Sequence, residues 1–315
     1  MLYRRKITLT VALLTATACS VLAVREVAAA PHAAVPSAVR GAASGGLVAG
    51  GVDGRAVDPG LFGPGACVAF SPTSGDRHET VFLDAGHGGV DPGAVGTTQS
   101  GAVVEESTVN LAVELDTMRL LRDRGFTVVV SRTRNTSVTR LSAADMSAGA
   151  LSDQGALADV AARDVCADRA GADVLVGIYM DGGAPGAAGC LTGWDADRPF
   201  SRANLRLATL VQGDVLAALN ARGWGIPDDG VVADSGLGSA LTSAAVAYHH
   251  LLLLGPAEKG YFSTPSTMPG ALIEPLYVTD PMEASVAVSA AGQQAIAGGL
   301  ARAIGQYFTT SQHTA

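Results

Sequence analysis

The amino-acid sequence predicts a single α/β domain, built on a mostly parallel, twisted sheet with helices covering both faces. Three short apolar runs rich in β-branched residues, at 80–83, 126–130 and 174–179, have the length and composition of buried strands. Segments with a helical spacing of apolar residues, at 106–124 and 157–169, separate these runs. Strands that are apolar on both faces and alternate with helices are typical of a sheet buried between two helical layers.

The C-terminal half of the chain continues the alternation. Residues 203–220 and 290–307 have helical spacing, and 251–254 and 271–273 are short apolar runs that predict further strands. The complete pattern therefore describes one extended domain in which helices and strands alternate.

The overall composition fits this fold and excludes one class of partner. Of the 315 residues, 48% are hydrophobic and 16% are charged, which is enough apolar material for a sizeable core. The formal net charge is -8. An acidic chain lacks the basic footprint that nucleic-acid binding requires, so we expect no nucleic-acid partner. We expect the protein to be a monomer.

Residues 1–30 have the composition of an export signal. Three basic residues at 4–6 precede an uncharged stretch at 7–24, and 27–30 supplies the small residues that a signal peptidase needs. A stretch of this length can also span a bilayer, so an uncleaved membrane anchor through 7–24 is the alternative. In both cases the remainder faces outward. We expect a protein that is secreted, in the cell wall or on the outer face of the cytoplasmic membrane.

Three further segments follow this signal. Residues 31–75 are rich in Ala, Gly and Pro without a periodic apolar pattern, and we expect a flexible linker. Residues 76–309 carry the alternating pattern and form the predicted catalytic domain. Residues 310–315 are expected to be a disordered tail.

The four cysteines are spaced in a way that argues against a cysteine-based zinc site, because none forms a Cys-x-x-Cys pair. Cys19 lies in the N-terminal apolar run, where lipid attachment is an alternative to a purely apolar role. In an oxidising compartment Cys67, Cys166 and Cys190 allow one disulfide and one free thiol. The alternative is that all three are small buried hydrophobic residues.

The expected position of the functional residues follows from the predicted sheet. Ligands of α/β sheets bind at the carboxyl ends of the strands, which here means directly after Leu83, Ile178 and Ile273. His87 follows the first of these strands and is framed by glycines that permit a sharp turn and leave the imidazole open. A phosphate-binding loop is excluded, because the third glycine of its pattern would fall on Asp91. We interpret His87 as a site residue.

The segment around His87 also resembles a known family. Residues 83–94 read LDAGHGGVDPGA, which resembles the opening motif of the zinc-dependent N-acetylmuramoyl-L-alanine amidases of type 3. Further segments match that family in the same order along the chain. They are ESTVNL at 106–111, RTR at 132–134, Arg163 with AD at 172–173, ALIE at 271–274 and DP at 280–281. The resemblance covers residues 81–308.

The resemblance implies a catalytic zinc ion, for which His87 and Glu106 would be two of three protein ligands. Glu106 is chosen over Glu105 because it stands four residues before Asn110, as in the family. A zinc ion lowers the pKa of a bound water to about 7, and a nearby carboxylate can accept the proton and pass it to the leaving amine. Glu274 would be that base. The substrate implied is peptidoglycan or its muropeptides, cleaved between N-acetylmuramic acid and L-alanine.

The chain departs from the family at the third zinc ligand. Where the family has Ser-Ile-His, residues 177–179 read Gly-Ile-Tyr, so Tyr179 occupies the position of the expected histidine. A phenol has a pKa near 10 and is a poor zinc ligand at neutral pH. Asp181 is a possible substitute, because a residue two positions on points to the same side of a strand. His249 and His250 are further candidates, with a surface histidine pair as the alternative interpretation.

Three functions therefore remain open at this point. The first is an exported, zinc-dependent peptidoglycan amidase. The second is a catalytically degenerate protein of the same fold that binds wall fragments or regulates a partner. The third is another zinc hydrolase, acting on a wall peptide or an acetyl amide.

Overall fold

The computed structural model describes residues 54–237 and 243–311. The expected export signal at 1–30 and the apolar stretch at 7–24 lie outside these residues, as do most of the expected linker and residues 312–315. Within the described residues, no helix is both long enough and apolar enough to cross a membrane.

Strands and helices alternate along most of the chain, as the sequence predicts. In chain order the strands are β1 (Arg55–Ala56), β2 (Ala66–Phe70), β3 (Thr80–Ala85), β4 (Val95–Thr97), β5 (Val103–Glu105), β6 (Thr127–Arg132), β7 (Met146–Ser147), β8 (Ala150–Leu151), β9 (Val174–Ile178), β10 (Cys190–Trp194), β11 (Asp228–Ala233) and β12 (Gly270–Glu274). The α-helices are α1 (Glu106–Arg122), α2 (Asp153–Arg169), α3 (Ser201–Asn220), α4 (Ser243–Tyr248), α5 (Pro281–Ala287) and α6 (Ala290–Ser311).

Eight of these strands form one sheet in the order β1-β2-β6-β3-β9-β12-β10-β11. The four central strands, β6, β3, β9 and β12, are parallel to one another, and β10 and β11 are parallel to each other. β10 runs antiparallel to β12, and β1 and β2 are antiparallel to their neighbours. The prediction of a single α/β domain with a mostly parallel sheet is therefore confirmed.

Alternate side chains of the central strands point to opposite faces of the sheet, and each face has its own core. Val81 and Leu83 face the larger core, to which α1, α3 and α6 contribute, for example through Leu207. Phe82 and Leu175 face a smaller core that includes α2. The period of two along each strand explains the division, and helices cover both faces as expected.

The boundary of the expected linker was wrong. The structure places β1 and β2 within 31–75, and β2 extends the sheet next to β6. Val57 and Phe62 are buried. The Ala-, Gly- and Pro-rich composition conceals this part of the domain, because the apolar run of β2 is only five residues long and is flanked by turn-forming residues. Residues 54–75, the described part of the expected linker, therefore belong to the folded domain.

The prediction of a strand at 251–254 was also wrong. These leucines form a turn, and Leu253 and Leu254 are buried in the smaller core. A short apolar run can satisfy its burial in either conformation, so composition does not distinguish them. Two observed strands, β10 and β11, were not predicted. They lack the continuous apolar pattern of the predicted strands, because Gly193 and the Asp-Asp-Gly sequence at 228–230 interrupt it.

Cys67 and Cys166 form a disulfide that ties β2 to α2, whereas Cys190 is a buried free thiol. One disulfide and one free thiol is the first of the two arrangements that the sequence allows. The disulfide closes a loop across 99 positions of sequence.

Replacing both bonded cysteines, Cys67→Ser with Cys166→Ser, should lower the free energy of unfolding by about 2–5 kcal/mol, because the crosslink restricts the unfolded chain over a long loop. Denaturant unfolding of the oxidised parent and the double variant measures the difference. Cys190→Ser is the control for loss of a buried sulfur without loss of a crosslink. An oxidised parent no more stable than the double variant would contradict this role.

Candidate active site

The carboxyl ends of β3, β9 and β12 meet at one edge of the sheet, next to a cavity of about 460 Å³. All five residues singled out from the sequence line this cavity: His87, Glu106, Tyr179, Asp181 and Glu274. They come from three strand ends and from the first turn of α1, as the predicted parallel sheet requires. Apolar side chains from α2 and from the turn at 251–253 form the opposite wall of the cavity.

His87 and Glu106 are in direct contact. The Nε2 atom of His87 lies 3.2 Å from Oε1 of Glu106, and its Nδ1 atom lies 2.7 Å from Oδ2 of Asp91. Burial alone would lower the pKa of His87, but the Glu106 and Asp91 carboxylates outweigh it and raise this pKa to about 10. The ring is therefore cationic at neutral pH when no metal is present, and a metal ion would have to displace its proton.

The Glu106 side chain is held by hydrogen bonds from a backbone amide and from a residue of its own helix. Its Oε2 accepts a hydrogen bond from the amide of Ala94 at 2.8 Å, and its Oε1 accepts one from the Asn110 side chain at 3.1 Å. The neighbouring Glu105 is exposed. The four-residue step from Glu106 to Asn110, seen in the sequence, is thus the spacing of a side-chain contact on one helix face.

The loop carrying His87 adopts a backbone conformation that its glycines make possible. His87 itself has a φ of 60°, in the left-handed region that few non-glycine residues adopt. Gly93 has a φ of 66°, and a Cβ atom there would lie 2.5 Å from Oε2 of Glu106. At Gly86 a Cβ atom would lie 2.3 Å from the Tyr179 ring. Glycines at both positions let the backbone pass close to the site side chains.

Two buried arginines hold the loop that carries His87 in place through hydrogen bonds to its backbone. Arg132 donates hydrogen bonds to the backbone oxygens of Ala85, Gly86 and Ser107. Arg163 donates to the backbone oxygens of Ala85 and His87 and forms an ion pair with Asp84 at 2.6 Å. The sequence pointed to both arginines only through the family resemblance. Their role here is to satisfy carbonyl groups of a tight turn that has few backbone partners.

Tyr179 lines the cavity, but its hydroxyl group is turned away from His87 and Glu106. The hydroxyl donates a hydrogen bond to Oδ2 of Asp84 at 3.0 Å, and the ring meets His87 edge-on with centroids 5.5 Å apart. Burial and the adjacent Asp84 carboxylate raise the pKa of Tyr179 well above its usual value. Tyr179 therefore remains a neutral phenol, which is unsuited to bind zinc.

Asp181 and Glu274 lie at the carboxyl ends of the neighbouring strands β9 and β12, and both line the cavity. Burial raises the pKa of Glu274 well above its usual value, and the charges of Asp181 and Glu106 raise it further. Burial also raises the pKa of Asp181, against the hydrogen bond from the Tyr277 hydroxyl, which lowers it. The surroundings of Glu274 therefore favour its protonated form more than water does.

The histidine pair at 249–250 does not belong to this cavity. His249 is exposed, and His250 lies beside Asp195 and Asp234 instead. Sequence reasoning missed Asp91 and Tyr277 as parts of the site. The signal for Asp91 was available, since it stands four residues after His87 on a loop that turns back on itself.

The fold and the site agree with a comparison against known protein families. Residues 81–306 match the family model described as N-acetylmuramoyl-L-alanine amidase, Amidase_3. The chain belongs to this family. A solved amidase has a similar fold: the CwlD amidase from Clostridioides difficile, solved in complex with the GerS lipoprotein, superposes with a TM-score of 0.55 at 19% identity, covering 74% of this chain and 99% of that chain.

Two further comparisons extend this result. An N-acetylmuramoyl-L-alanine amidase from Clostridium difficile 630 gives a TM-score of 0.51 at 24% identity, covering 75% of this chain and 98% of that chain. The uncharacterized protein YqiI of Bacillus subtilis (strain 168) is 28% identical over 150 residues, which is 48% of this chain. The match spans 60% of the length of YqiI, so it is a likeness over part of that relative.

The zinc ion that the family resemblance implies fits this Amidase_3 site in part. Ligand atoms around a tetrahedral zinc lie about 3.3 Å apart, since each bond is about 2.0–2.1 Å long. The 3.2 Å between His87 and Glu106 meets this requirement, and Asp91 supplies the carboxylate that usually orients a zinc-bound imidazole. Tyr179 does not fit. Among the described residues, no group of three metal-binding side chains forms around His87 and Glu106.

Proposed function

We propose that the protein is an exported N-acetylmuramoyl-L-alanine amidase, which hydrolyses the amide between N-acetylmuramic acid and L-alanine of peptidoglycan. The observation that carries the proposal is the convergence of His87, Glu106 and Glu274 on one cavity in a chain of this family. Export is supported by the composition of residues 1–30 and by the Cys67–Cys166 disulfide, since such bonds persist in oxidising compartments.

Glu274 is proposed to move the protons of the reaction. In its ionised form it accepts a proton from the attacking water. In its protonated form, which burial and Asp181 favour, it returns that proton to the amine of the departing L-alanine. A group poised between both forms suits a step that needs a base first and an acid afterwards.

The cofactor in this proposal is zinc, held by His87 and Glu106, and a bound zinc ion would supply Lewis-acid activation of the attacking water. Asp91 orients the imidazole of His87 through Nδ1, and the Ala94 amide and Asn110 orient Glu106. Asp181, which lines the cavity two residues after Tyr179, is proposed as the substitute for the missing third ligand. With His87 and Glu106 as the two strong protein ligands, we expect zinc binding to be weaker than a complete set of three ligands would give.

One observation favours a second candidate function. The Tyr179 hydroxyl is engaged by Asp84, so the position of the expected third ligand is filled by a group that holds no metal. A protein of this kind would bind muropeptides in the same cavity without cleaving them.

His87→Asn tests the proposed function. His87 has a φ of 60°, and asparagine tolerates this conformation, so the loop should fold. We expect the variant to lose the zinc ion of this cavity, one ion per chain, and the release of peptides from purified peptidoglycan. The matched control is His78→Asn, since His78 is also at a φ of 60° but is remote from the cavity and not one of its lining residues. Unchanged zinc content in His87→Asn would exclude His87 as a ligand, and unchanged hydrolysis would exclude this cavity as the active site.

A further inference from the structure

A second group of metal-binding side chains lies at the opposite edge of the sheet from the cavity. Asp195 directly follows β10, and Asp234 directly follows β11. These strands are parallel, and Trp194 pairs with Ala233, so the two aspartates stand side by side. β10 runs antiparallel to β12, and its first residues pair with Glu274, so its last residues point away from the cavity. None of Asp195, Asp234 and His250 lines the cavity.

His250 completes this group. Its Nδ1 atom lies 3.0 Å from Oδ2 of Asp195 and 3.3 Å from both carboxylate oxygens of Asp234. One ligand atom from each of the three residues lies within 4.8 Å of the other two. These separations are close to the value of about 3.3 Å expected between ligands of a tetrahedral zinc ion.

The imidazole is oriented so that Nδ1 can accept a cation. The Nε2 atom lies 3.8 Å from Oδ2 of Asp197, an exposed carboxylate. The Nδ1 atom faces Asp195 and Asp234 at 3.0 and 3.3 Å. A carboxylate on the far nitrogen is the usual companion of a metal-bound histidine.

The carboxylates of Asp195 and Asp234 are buried, and the surrounding residues do not donate hydrogen bonds to them fully. Both aspartates are fully buried, and among the described residues Oδ2 of Asp195 has no hydrogen-bond donor besides Nδ1 of His250, which lies 3.0 Å away. The other oxygen of Asp195 accepts from the backbone amides of Asp197 and Arg198. Asp234 accepts from the amides of Ser235 and Leu251. Oδ2 of Asp195 therefore points into the group and can still coordinate a cation.

Arg198 does not donate a hydrogen bond to Oδ2 of Asp195. The guanidinium group of Arg198 donates to the backbone oxygens of Leu254 and Gly255. The buried carboxylates of Asp195 and Asp234 therefore lie together beside His250. Placing two like charges together in the interior costs free energy, and a bound cation removes that cost.

We propose that Asp195, Asp234 and His250 bind a divalent cation of the zinc type at a structural site separate from the catalytic cavity. Two carboxylates and one imidazole are a ligand set that zinc accepts, and a water can complete the coordination. The cation joins the ends of β10 and β11 to the residue that precedes the turn at 251–253. That turn forms one wall of the catalytic cavity, so the cation fixes the wall against the sheet.

The test uses the full chain carrying His87→Asn, which removes the zinc ligand of the catalytic cavity. The protein is stripped with a chelator and titrated with ZnCl₂, and both bound zinc and Tm are measured. We expect one zinc per chain, and a rise in Tm of about 5 °C or more at a zinc concentration roughly 100 times the Kd. Adding Asp195→Asn should weaken zinc binding at least about tenfold. Asparagine keeps the acceptor for the two backbone amides, so this variant should fold.

A matched histidine pair completes the test. His250→Asn should abolish the zinc-dependent rise in Tm, whereas His249→Asn should leave it unchanged, since His249 is exposed and its φ of 63° suits asparagine. If the His87→Asn chain binds no zinc, the proposal is overturned. It is overturned equally if Asp195→Asn binds zinc as tightly as its parent. Both results are independent of whether the protein hydrolyses peptidoglycan.

Discussion

Glu274→Gln should abolish hydrolysis of peptidoglycan while leaving the zinc content of the protein nearly unchanged. The amide keeps the shape of the side chain but can neither accept a proton from water nor return one to the amine. Loss of a general acid–base group costs about 10²–10⁴-fold in rate. Because Glu274 lies at a strand end and its charge is opposed by Asp181 and Glu106, the neutral amide should also relieve repulsion in the cavity. The fold should therefore be retained.

The measurement is the rate of peptide release from purified peptidoglycan, together with metal analysis of the same preparations. Glu105→Gln is the control, since Glu105 is an exposed glutamate beside the site that does not line the cavity. If Glu274→Gln loses its zinc along with its activity, Glu274 is a metal ligand and not the base. If its activity is unchanged, the protons of the reaction are moved elsewhere.

Tyr179→His should tighten zinc binding by at least about tenfold and should raise the rate of hydrolysis. A neutral imidazole binds zinc readily at pH 7, whereas a phenol must first lose a proton that it holds more strongly than usual here. Histidine is also the residue that the family resemblance implies at this position. The measurement is zinc affinity by competition with a chelator of known affinity, followed by hydrolysis at saturating zinc.

Tyr179→Phe is the matched control for this substitution. Phenylalanine keeps the ring that fills the space beside Gly86 and loses only the hydrogen bond to the Asp84 carboxylate, worth about 1.5–3 kcal/mol of stability. Zinc binding should be unchanged. If Tyr179→Phe destroys zinc binding, the phenol is a ligand after all. If Tyr179→His leaves zinc affinity unaltered, another residue already completes the site.

The central part of the fold could be predicted because its strands are buried on both faces. Runs such as TVF at 80–82 and VLV at 174–176 have no other plausible place than the middle of a covered sheet. The edges could not be predicted in the same way. β10 contains Gly193, and β11 begins with Asp-Asp-Gly, so their apolar pattern is broken although both belong to the sheet.

The residues of the cavity could be predicted because they follow strand ends, but their contacts could not. The sequence brings His87 and Glu274 to one edge through the rule for parallel sheets. It does not reveal that the hydroxyl of Tyr179 turns to Asp84, because that contact depends on how closely Gly86 lets the ring approach. The same limit applies to His250, whose partners come from two strands that the sequence did not predict.

The most direct test of the central claim is to identify the products released from purified peptidoglycan by the zinc-loaded protein. Mass spectrometry, with labelling of newly exposed amino groups, distinguishes the bond that is cut. An amidase of this kind should release stem peptides that begin with a free L-alanine amino group, and should leave glycan strands that carry intact lactyl groups. Release of peptides cleaved within the stem, or no release by a protein that binds muropeptides, would contradict the proposed activity.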